Sequence, residues 1–311
     1  MKAAQIAEYG GPGVIRIVDL PTPEPGIGQL RVRVAAAGVA PWDVLLRENR
    51  SGIPQTLPLV LGSDIAGVVD RVGTEVSGFA VGDEVYGLTN GKFMGGYAES
   101  AVVSASSMAR KPKSLNFLEA ASAPVIAVTA LQMLFQFGEA KKGQSVLIHG
   151  AAGNVGAYAV QMARDAGLRI LATASAKDLE YVQGLGAQTV LDYKAGRFED
   201  AVKDVDVVVD LVGGEIQTRS VAVLKRGGIL VSAVSQPPAE ALAKAGVRGV
   251  FFIVDVTTEQ LSTIAELFDA KKLVPQVGSV LPLADARLAH EMLAGAPHKR
   301  GKILLSVASV R

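Results

Sequence analysis

The chain has 311 residues, a formal net charge of +1, 49% hydrophobic residues and no cysteine. A nearly neutral chain gives no electrostatic reason to expect a nucleic acid or an anionic membrane as partner. Without cysteine there is no disulfide, thiolate nucleophile or cysteine-ligated zinc, and the spacing of His149, His290 and His298 matches no usual zinc pattern, so we predict no bound metal. The length suffices for two domains, each with its own core.

No segment predicts export or membrane insertion. Residues 1–7 lack the apolar core of a signal peptide. The most apolar window, 120–135, contains Pro124. It is also shorter than a transmembrane helix, which needs about 20 residues to span a bilayer. We therefore expect a cytoplasmic protein with no membrane partner.

The first 110 residues or so predict a compact β-rich domain. Residues 30–34 alternate apolar side chains with arginine, as a half-solvated strand does. Further strands are expected at 65–69, 84–86 and 97–103, separated by glycine-containing turns. Beyond this region the sequence predicts a helix capped by Asn116 and Glu119, then a second helix over 128–138.

The next segment, 145–166, predicts a site for a dinucleotide pyrophosphate. A short apolar run reads as a buried strand, glycines follow at Gly150, Gly153 and Gly156, and a helix is expected over 155–166. Glycines let the backbone approach phosphates, while the start of a helix offers free N–H groups and the positive end of its dipole. We prefer this interpretation to that of a plain structural turn.

Strands and helices then alternate as far as residue 270, which predicts a doubly wound parallel sheet. The final strand, 302–307, follows this alternation and is expected to return to the first domain. The intervening elements are predicted as strands at 169–174, 189–191, 205–210, 229–233 and 250–254, and as helices at 177–185, 198–203, 216–224 and 259–270.

The end of the second strand of this sheet favours NADP(H). A NAD-specific site places an acidic residue about 20 residues beyond the glycine turn. Here no carboxylate occurs before Asp178, which we assign to the next helix, whereas Ser175 and Lys177 suit a 2′-phosphate. Ser175 as a helix cap and Lys177 as a solvated charge are compatible alternatives. Tyr193 either contacts the adenosine or packs at the sheet edge.

Ordered motifs run through the whole chain. Gly-Val-Ala-Pro-Trp-Asp at 38–43 and His-Gly-Ala-Ala-Gly-Asn-Val-Gly at 149–156 are accompanied by motifs at 62–69, 81–86, 95–99, 128–131 and 300–304. Together they resemble the zinc-free quinone-reductase branch of the medium-chain dehydrogenase/reductase superfamily, which includes zeta-crystallin-like proteins and plastid alkenal/enone reductases. Zinc-dependent relatives carry a cysteine near residues 37–38 and Gly-His-Glu near 62, where this chain has Gly-Ser-Asp.

The resemblance implies an α/β fold with two domains. Residues 1–123 and 268–311 would form a GroES-like β-rich catalytic domain, and residues 124–267 a Rossmann NADP-binding domain with a doubly wound parallel sheet. The implied reaction is zinc-independent hydride transfer from NADPH to a quinone or an α,β-unsaturated carbonyl (an enone or enal). The alternative is an NADPH-binding protein of the same fold with a structural or sensing role. An alcohol dehydrogenase is disfavoured by the missing zinc ligands.

The resemblance also implies a set of cofactor-binding residues. They are Thr129, Ala152, Gly153, Asn154, Val155, Gly156, Ser175, Lys177, Tyr193, Leu211, Val212, Gly213, Ser232, Ala233, Val234, Phe252, Ile253, Val254 and Lys302. The small or apolar residues of this set could instead belong to the packed core.

The substrate pocket departs from the family pattern. Ala40 stands where the family has asparagine, and Leu45 where some relatives have an aromatic residue. Trp42 could form part of the substrate wall or a wedge between the domains. The remaining polar candidates are Asp43, Asp64, Tyr86 and Asn90. We prefer turn-capping roles for the two aspartates. We therefore expect catalysis by positioning, without a dedicated acid.

The apolar run 247–254 predicts an exposed edge strand. Such an edge can pair with its twin across a two-fold axis. We therefore expect a homodimer.

Overall fold

The computed structural model describes residues 1–307, which form two compact units. One unit contains Met1–Val125 and the chain from Asp255 onward, and the other contains Ile126–Val254. The predicted domain limits, at 123/124 and 267/268, and the roles of the two domains stay predictions. Within the described chain, no helix has both the length and the apolar character needed to cross a membrane.

Strands and helices follow one another in chain order. The strands are β1 (Lys2–Ile6), β2 (Arg16–Asp19), β3 (Gln29–Val39), β4 (Leu59–Val60), β5 (Asp64–Val72), β6 (Glu84–Leu88), β7 (Ser100–Ser104), β8 (Met108–Arg110), β9 (Ser145–Ile148), β10 (Arg169–Ala174), β11 (Thr189–Asp192), β12 (Val205–Asp210), β13 (Leu224–Ser232), β14 (Arg248–Phe251), β15 (Val277–Pro282) and β16 (Lys302–Ser306). The helices are α1 (Pro41–Arg47), α2 (Phe117–Ala121), α3 (Pro124–Leu131), α4 (Asn154–Asp165), α5 (Leu179–Leu185), α6 (Phe198–Ala201), α7 (Gly214–Ser220), α8 (Ala239–Ala245), α9 (Thr258–Asp269) and α10 (Ala286–Leu293).

The first unit is built mainly from antiparallel strands. One sheet has the order β2-β1-β4, and the other has the order β15-β16-β3-β5-β6-β8, with β7 also paired to β3. Burial alternates along the first half of β3, whereas the second half, Ala35–Val39, is buried on both faces. The last strand, β16, pairs antiparallel with β3, with Leu305 opposite Ala37. This pairing confirms the expected return of the final strand to the first unit.

The second unit contains a parallel sheet of six strands in the order β11-β10-β9-β12-β13-β14. Numbered within the sheet, this is the 3-2-1-4-5-6 order of a Rossmann fold. Leu147, Val208 and Leu230 on its central strands have no exposed surface. Because strand order reverses between β9 and β12, the crevice at their carboxyl ends is the position where such sheets bind ligands.

Several predicted element limits were wrong. The helix expected over 128–138 is α3, which begins four residues earlier and continues as a π-helical segment, Gln132–Phe137. The helix expected over 216–224 ends sooner, because Leu224 already belongs to β13. Helices α8 and α10 and strand β15 had no sequence prediction. They are short elements whose formation depends on packing more than on intrinsic propensity.

Helix α4 packs directly against the loop that leaves β9. A Cβ atom at Gly156 would lie 2.3 Å from the carbonyl oxygen of Gly150 and 2.7 Å from the Cα of Ala151. Both contacts involve backbone atoms, which cannot turn aside as a flexible side chain can. Only glycine therefore lets the first turn of α4 lie this close to the loop.

We predict that Gly156→Ala lowers the free energy of unfolding by about 1–3 kcal/mol, because the added methyl group overpacks this contact. Gly184→Ala is the matched control, since Gly184 also lies in a helix and a Cβ there meets nothing within 4 Å. The control should gain about 0.5–1 kcal/mol. Urea denaturation of both variants measures the difference, and equal effects would contradict the packing argument.

Candidate functional site

The second unit contains a cavity of about 470 Å³ at the carboxyl ends of β9, β10 and β12. This is the crevice where the strand order of the sheet reverses. It brings together five predicted cofactor residues, namely Ala152, Gly153, Ser175, Tyr193 and Val212. The other lining residues are His149, Gly150, Thr173, Ala174, Asp178, Phe198 and Ile216.

The glycine turn forms one wall of this cavity. Gly150 has a φ of +71°, a left-handed conformation that favours glycine. Gly153 precedes α4 in an extended conformation and, without a side chain, makes no side-chain cap. The N–H groups of Asn154, Val155 and Gly156 in the first turn have no carbonyl partner within the helix. Such a terminus can accept an anion.

A buried carboxylate organises the adjacent turns. Asp210, at the end of β12, has no exposed surface. Its Oδ1 accepts hydrogen bonds from the backbone N–H groups of Val212 and Gly213 at 3.0 and 2.8 Å. Its Oδ2 accepts from Ser232 Oγ at 2.8 Å and Gln217 Nε2 at 3.1 Å. Asp210, which no sequence pattern singled out, thus holds two predicted cofactor segments together.

These two segments expose apolar side chains. Val212 and Val234 are 50% and 47% exposed. Gly213 has a φ of +78°, and the N–H of Val234 donates to Ser232 Oγ at 3.1 Å. The remaining members, Leu211 and Ala233, are partly buried.

At the end of β10, a hydroxyl, a carboxylate and an aromatic ring line the cavity. Ser175 Oγ donates a hydrogen bond to Asp178 Oδ2 at 2.5 Å, and the N–H of Tyr193 donates to the carbonyl of Ala174 at 3.2 Å. Tyr193 is 50% exposed. Lys177 is exposed and does not line the cavity. Asp178 closes a 3-10 turn, Ala176–Asp178, before α5, so its assignment to the interior of the helix was wrong.

His149 lines the cavity, although we had not assigned it to the site. It is 1% exposed, and its Nδ1 and Nε2 lie 3.0 Å from Thr173 Oγ1 and 2.9 Å from Ser220 Oγ. Burial lowers its pKa to about 4. His149 is therefore a neutral hydrogen-bonding residue at neutral pH.

The other predicted cofactor residues of the second unit do not line the cavity. Thr129 is buried in α3. Phe252 is 8% exposed and packs on Phe137 with ring centroids 4.5 Å apart. Ile253 is 73% exposed and Val254 is partly buried.

In the first unit, Lys302 and Asp64 form a buried ion pair. Lys302 Nζ lies 2.7 Å from Asp64 Oδ2, and both side chains are 1% exposed. Asp64 Oδ1 accepts the N–H of Val125 at 2.9 Å. Lys302 Nζ also lies 4.5 Å from the ring centroid of Trp42, whose Nε1 donates to Ser63 Oγ at 2.8 Å. Asp64 is thus an ion-pair partner rather than the turn cap we preferred.

Asp43 does cap a helix. Its Oδ2 accepts the N–H of Ala40 at 2.8 Å, at the start of α1, and the hydroxyl of Tyr97 at 2.7 Å. The residue is fully buried, and Oδ1 has no hydrogen-bond partner among the described residues. Burial raises the pKa of Asp43 from 3.8 to about 7, against the opposing effects of Tyr97 and Lys302.

Tyr86 and Asn90 make hydrogen bonds within the first unit. The buried hydroxyl of Tyr86 donates to the carbonyl of Leu261 at 2.6 Å. Asn90 Nδ2 donates to the carbonyl of Met94 at 2.8 Å, and Oδ1 accepts the N–H of Lys92 at 3.0 Å. Tyr86 therefore joins two segments that are distant in the chain, and Asn90 fixes the loop to which it belongs.

We predict a pH-dependent stability contribution from Asp43. Between pH 3.8 and about 7, Asp43 is protonated in the folded protein but loses its proton in the unfolded chain. The stability that this proton gives the folded state is therefore lost as the pH rises through this range. Asp43→Asn cannot titrate, so the free energy of unfolding of wild type minus that of the variant should fall across this range. Urea denaturation at several pH values measures it. Asp19→Asn is the control, because the Asp19 side chain is 77% exposed. Parallel profiles of unfolding free energy against pH for wild type and Asp43→Asn would contradict the prediction.

Comparison with known proteins agrees with this geometry. Residues 26–113 match the family described as "Alcohol dehydrogenase GroES-like domain", and residues 185–305 match "Zinc-binding dehydrogenase". A quinone oxidoreductase of Mus musculus is 32% identical over 324 residues, covering 98% of this chain and 97% of the relative. The "NADPH-dependent alkenal/one oxidoreductase, chloroplastic" of Arabidopsis thaliana is 32% identical over 98% of this chain and 79% of its own length.

A solved structure extends the similarity to the whole fold. The quinone oxidoreductase from Coxiella burnetii is 34% identical, with a TM-score of 0.91 over 99% of each chain. The chain belongs to the quinone oxidoreductase family of the medium-chain dehydrogenase/reductase superfamily.

Proposed function

We propose that the protein is an NADPH-dependent oxidoreductase that reduces a quinone or an α,β-unsaturated carbonyl. The observation that carries the proposal is the cavity where the strand order reverses, lined by the glycine turn, Ser175 and Tyr193. Sequence similarity to quinone and alkenal/one oxidoreductases favours the reduction of a quinone or an α,β-unsaturated carbonyl.

The residues of the second unit fit a dinucleotide. The uncapped start of α4 and the left-handed turn at Gly150 suit a pyrophosphate. Ser175, Lys177 and Tyr193 would hold the 2′-phosphate end. Thr129 and the segments 211–213, 232–234 and 252–254 would hold the ribose and nicotinamide end. When bound, NADPH supplies the hydride.

The chain's own contribution is to position the reactants and exclude water. Asp43, Asp64, Tyr86 and Asn90 all have hydrogen bonds or ion pairs within the first unit. We therefore assign no dedicated acid. After hydride addition, a proton from water completes the reduction.

We also propose that the reaction needs no zinc, although one matched family is described as zinc-binding. The sequence has no cysteine, and residues 1–307 contain no cluster of three or more histidine, aspartate or glutamate side chains able to hold a metal. Activity should therefore survive prolonged treatment with a chelator.

The first test measures turnover. Purified protein should oxidise NADPH in the presence of at least one member of a panel of quinones, enals and enones, followed at the nicotinamide absorption band. Tight NADPH binding with no oxidation across the panel would overturn the enzymatic function and favour a structural or sensing role.

The second test addresses the 2′-phosphate. Lys177→Ala should raise the Kd for NADPH about tenfold and change the Kd for NADH little, because it removes a cation that only the phosphate needs. Lys244→Ala, at an exposed lysine of α8, makes the same change in net charge and is the control. Equal effects of the two variants would contradict the assignment of Lys177.

We further infer a homodimer that forms through β14. This strand lies at one end of the six-stranded sheet, and its last residue, Phe251, is 37% exposed. Ile253, two residues beyond the strand, is 73% exposed. An edge strand with apolar side chains is a template for pairing with a second copy.

Light scattering should therefore give about twice the chain mass of 32.2 kDa. Phe251→Lys should shift the protein towards the monomer, because a charge on an edge strand opposes pairing. Val81→Lys, at a 67% exposed apolar residue of the first unit, should leave the mass unchanged. A monomeric wild type would overturn the inference.

A further inference from the structure

The cavity contains a carboxylate at the end where we assign the 2′-phosphate. Asp178 lines it together with Ala174, Ser175 and Tyr193. The backbone hydrogen bond from Tyr193 to Ala174 brings the ends of β10 and β11 together there. The carboxylate, the serine hydroxyl and the tyrosine ring therefore belong to one subsite.

The hydroxyl of Ser175 is engaged by this carboxylate. Ser175 Oγ donates its only proton to Asp178 Oδ2 at 2.5 Å, a length typical of a charge-assisted bond. While this bond exists, Ser175 can accept hydrogen bonds in the cavity but cannot donate one. A phosphate group accepts hydrogen bonds, so it gains no donor from Ser175.

The subsite contains a carboxylate, and two lysines lie near it. A ribose 2′-hydroxyl can donate to a carboxylate, which is how NAD-specific sites recognise it. A 2′-phosphate carries about −1.5 to −2 charges at pH 7 and is repelled by a carboxylate. Lys177 is exposed outside the cavity lining, and Lys194 Nζ lies 5.8 Å from the ring centroid of Tyr193. These two lysines favour the phosphate, whereas Asp178 opposes it.

We propose that Asp178 is a specificity-determining residue that lets the protein bind NADH alongside NADPH. The proposal rests on the proposed function, because it concerns the same cofactor site. Asp178 accepts the ribose hydroxyl of NADH, and its charge weakens the binding of the 2′-phosphate of NADPH. The preference for NADPH is consequently smaller than the two lysines alone would give.

The test compares the dissociation constants of NADH and NADPH for the intact protein, measured by nicotinamide fluorescence. In Asp178→Asn, the ratio Kd(NADH)/Kd(NADPH) should rise about tenfold, since one charge close to the phosphate is removed. Asp178→Ser is the second variant, because serine also removes the charge and suits the start of a helix. Glu180→Gln is the matched control: it removes one negative charge from an exposed position two residues away, outside the cavity lining.

A rise in the ratio for both Asp178 variants, beyond that of Glu180→Gln, supports the proposal. A ratio that is unchanged, that falls, or that rises equally in the control overturns it. If the folded wild type binds neither nucleotide, the proposed function itself fails. If the wild type binds nucleotide and only the ratio fails to respond, the proposed function stands and the role of Asp178 is rejected.

Discussion

The cavity at the carboxyl ends of β9, β10 and β12 depends on the close approach of α4 to the loop that leaves β9. Gly156 makes this approach possible, because a Cβ there would lie 2.3 Å from the carbonyl oxygen of Gly150. The loop is itself held on both sides by the sheet: the N–H of His149 donates to Val209 of β12 at 2.9 Å, and the N–H of Ala151 donates to Thr173 of β10 at 3.3 Å. The start of α4 is thus fixed at the point where the strand order reverses. A helix terminus held there keeps its unpaired N–H groups directed at the place where an anion can bind.

Three buried aspartates illustrate different ways of accommodating a carboxylate. Asp210 is surrounded by four neutral donors, including two backbone N–H groups, and therefore orders the adjacent turns. Asp64 has a cation, Lys302, as its partner, so removing either member would leave an uncompensated buried charge. Asp43 has donors on one oxygen only, and burial raises its pKa to about 7. Burial disfavours the charged form of a carboxylate, and hydrogen-bond donors oppose this effect, which at Asp43 they do only in part.

The features that the sequence predicted best are those that depend on residues close together in the chain. The strand, glycine turn and helix at 145–166 were recognisable because a short apolar run is followed by glycines and then by a helical pattern. Glycine is also required where the backbones meet. The position of Asp178 was not recognisable, since a single 3-10 turn moves it from a helix interior to the cavity wall. The pairing of Lys302 with Asp64 joins residues 238 positions apart, and Tyr86 contacts Leu261 across 175 positions. Such contacts follow from the fold of the first unit and leave no local pattern in the sequence.

The hydrogen bonds of Tyr86 and Asp43 also affect which group could supply the proton in the proposed reduction. For Tyr86 to serve as an acid, its hydroxyl would have to leave the carbonyl of Leu261, which is buried in the same contact. Leaving a buried hydrogen-bond acceptor without a donor costs about 1–3 kcal/mol of free energy. Asp43 has a pKa suited to proton transfer, yet it is fully buried, and its Oδ2 already accepts from Ala40 and Tyr97. Ala40, which replaces the family's asparagine, adds no polar side chain. Tyr86 and Asp43 are thus already engaged within the first unit, which supports our proposal that the proton comes from water and that the chain contributes by positioning.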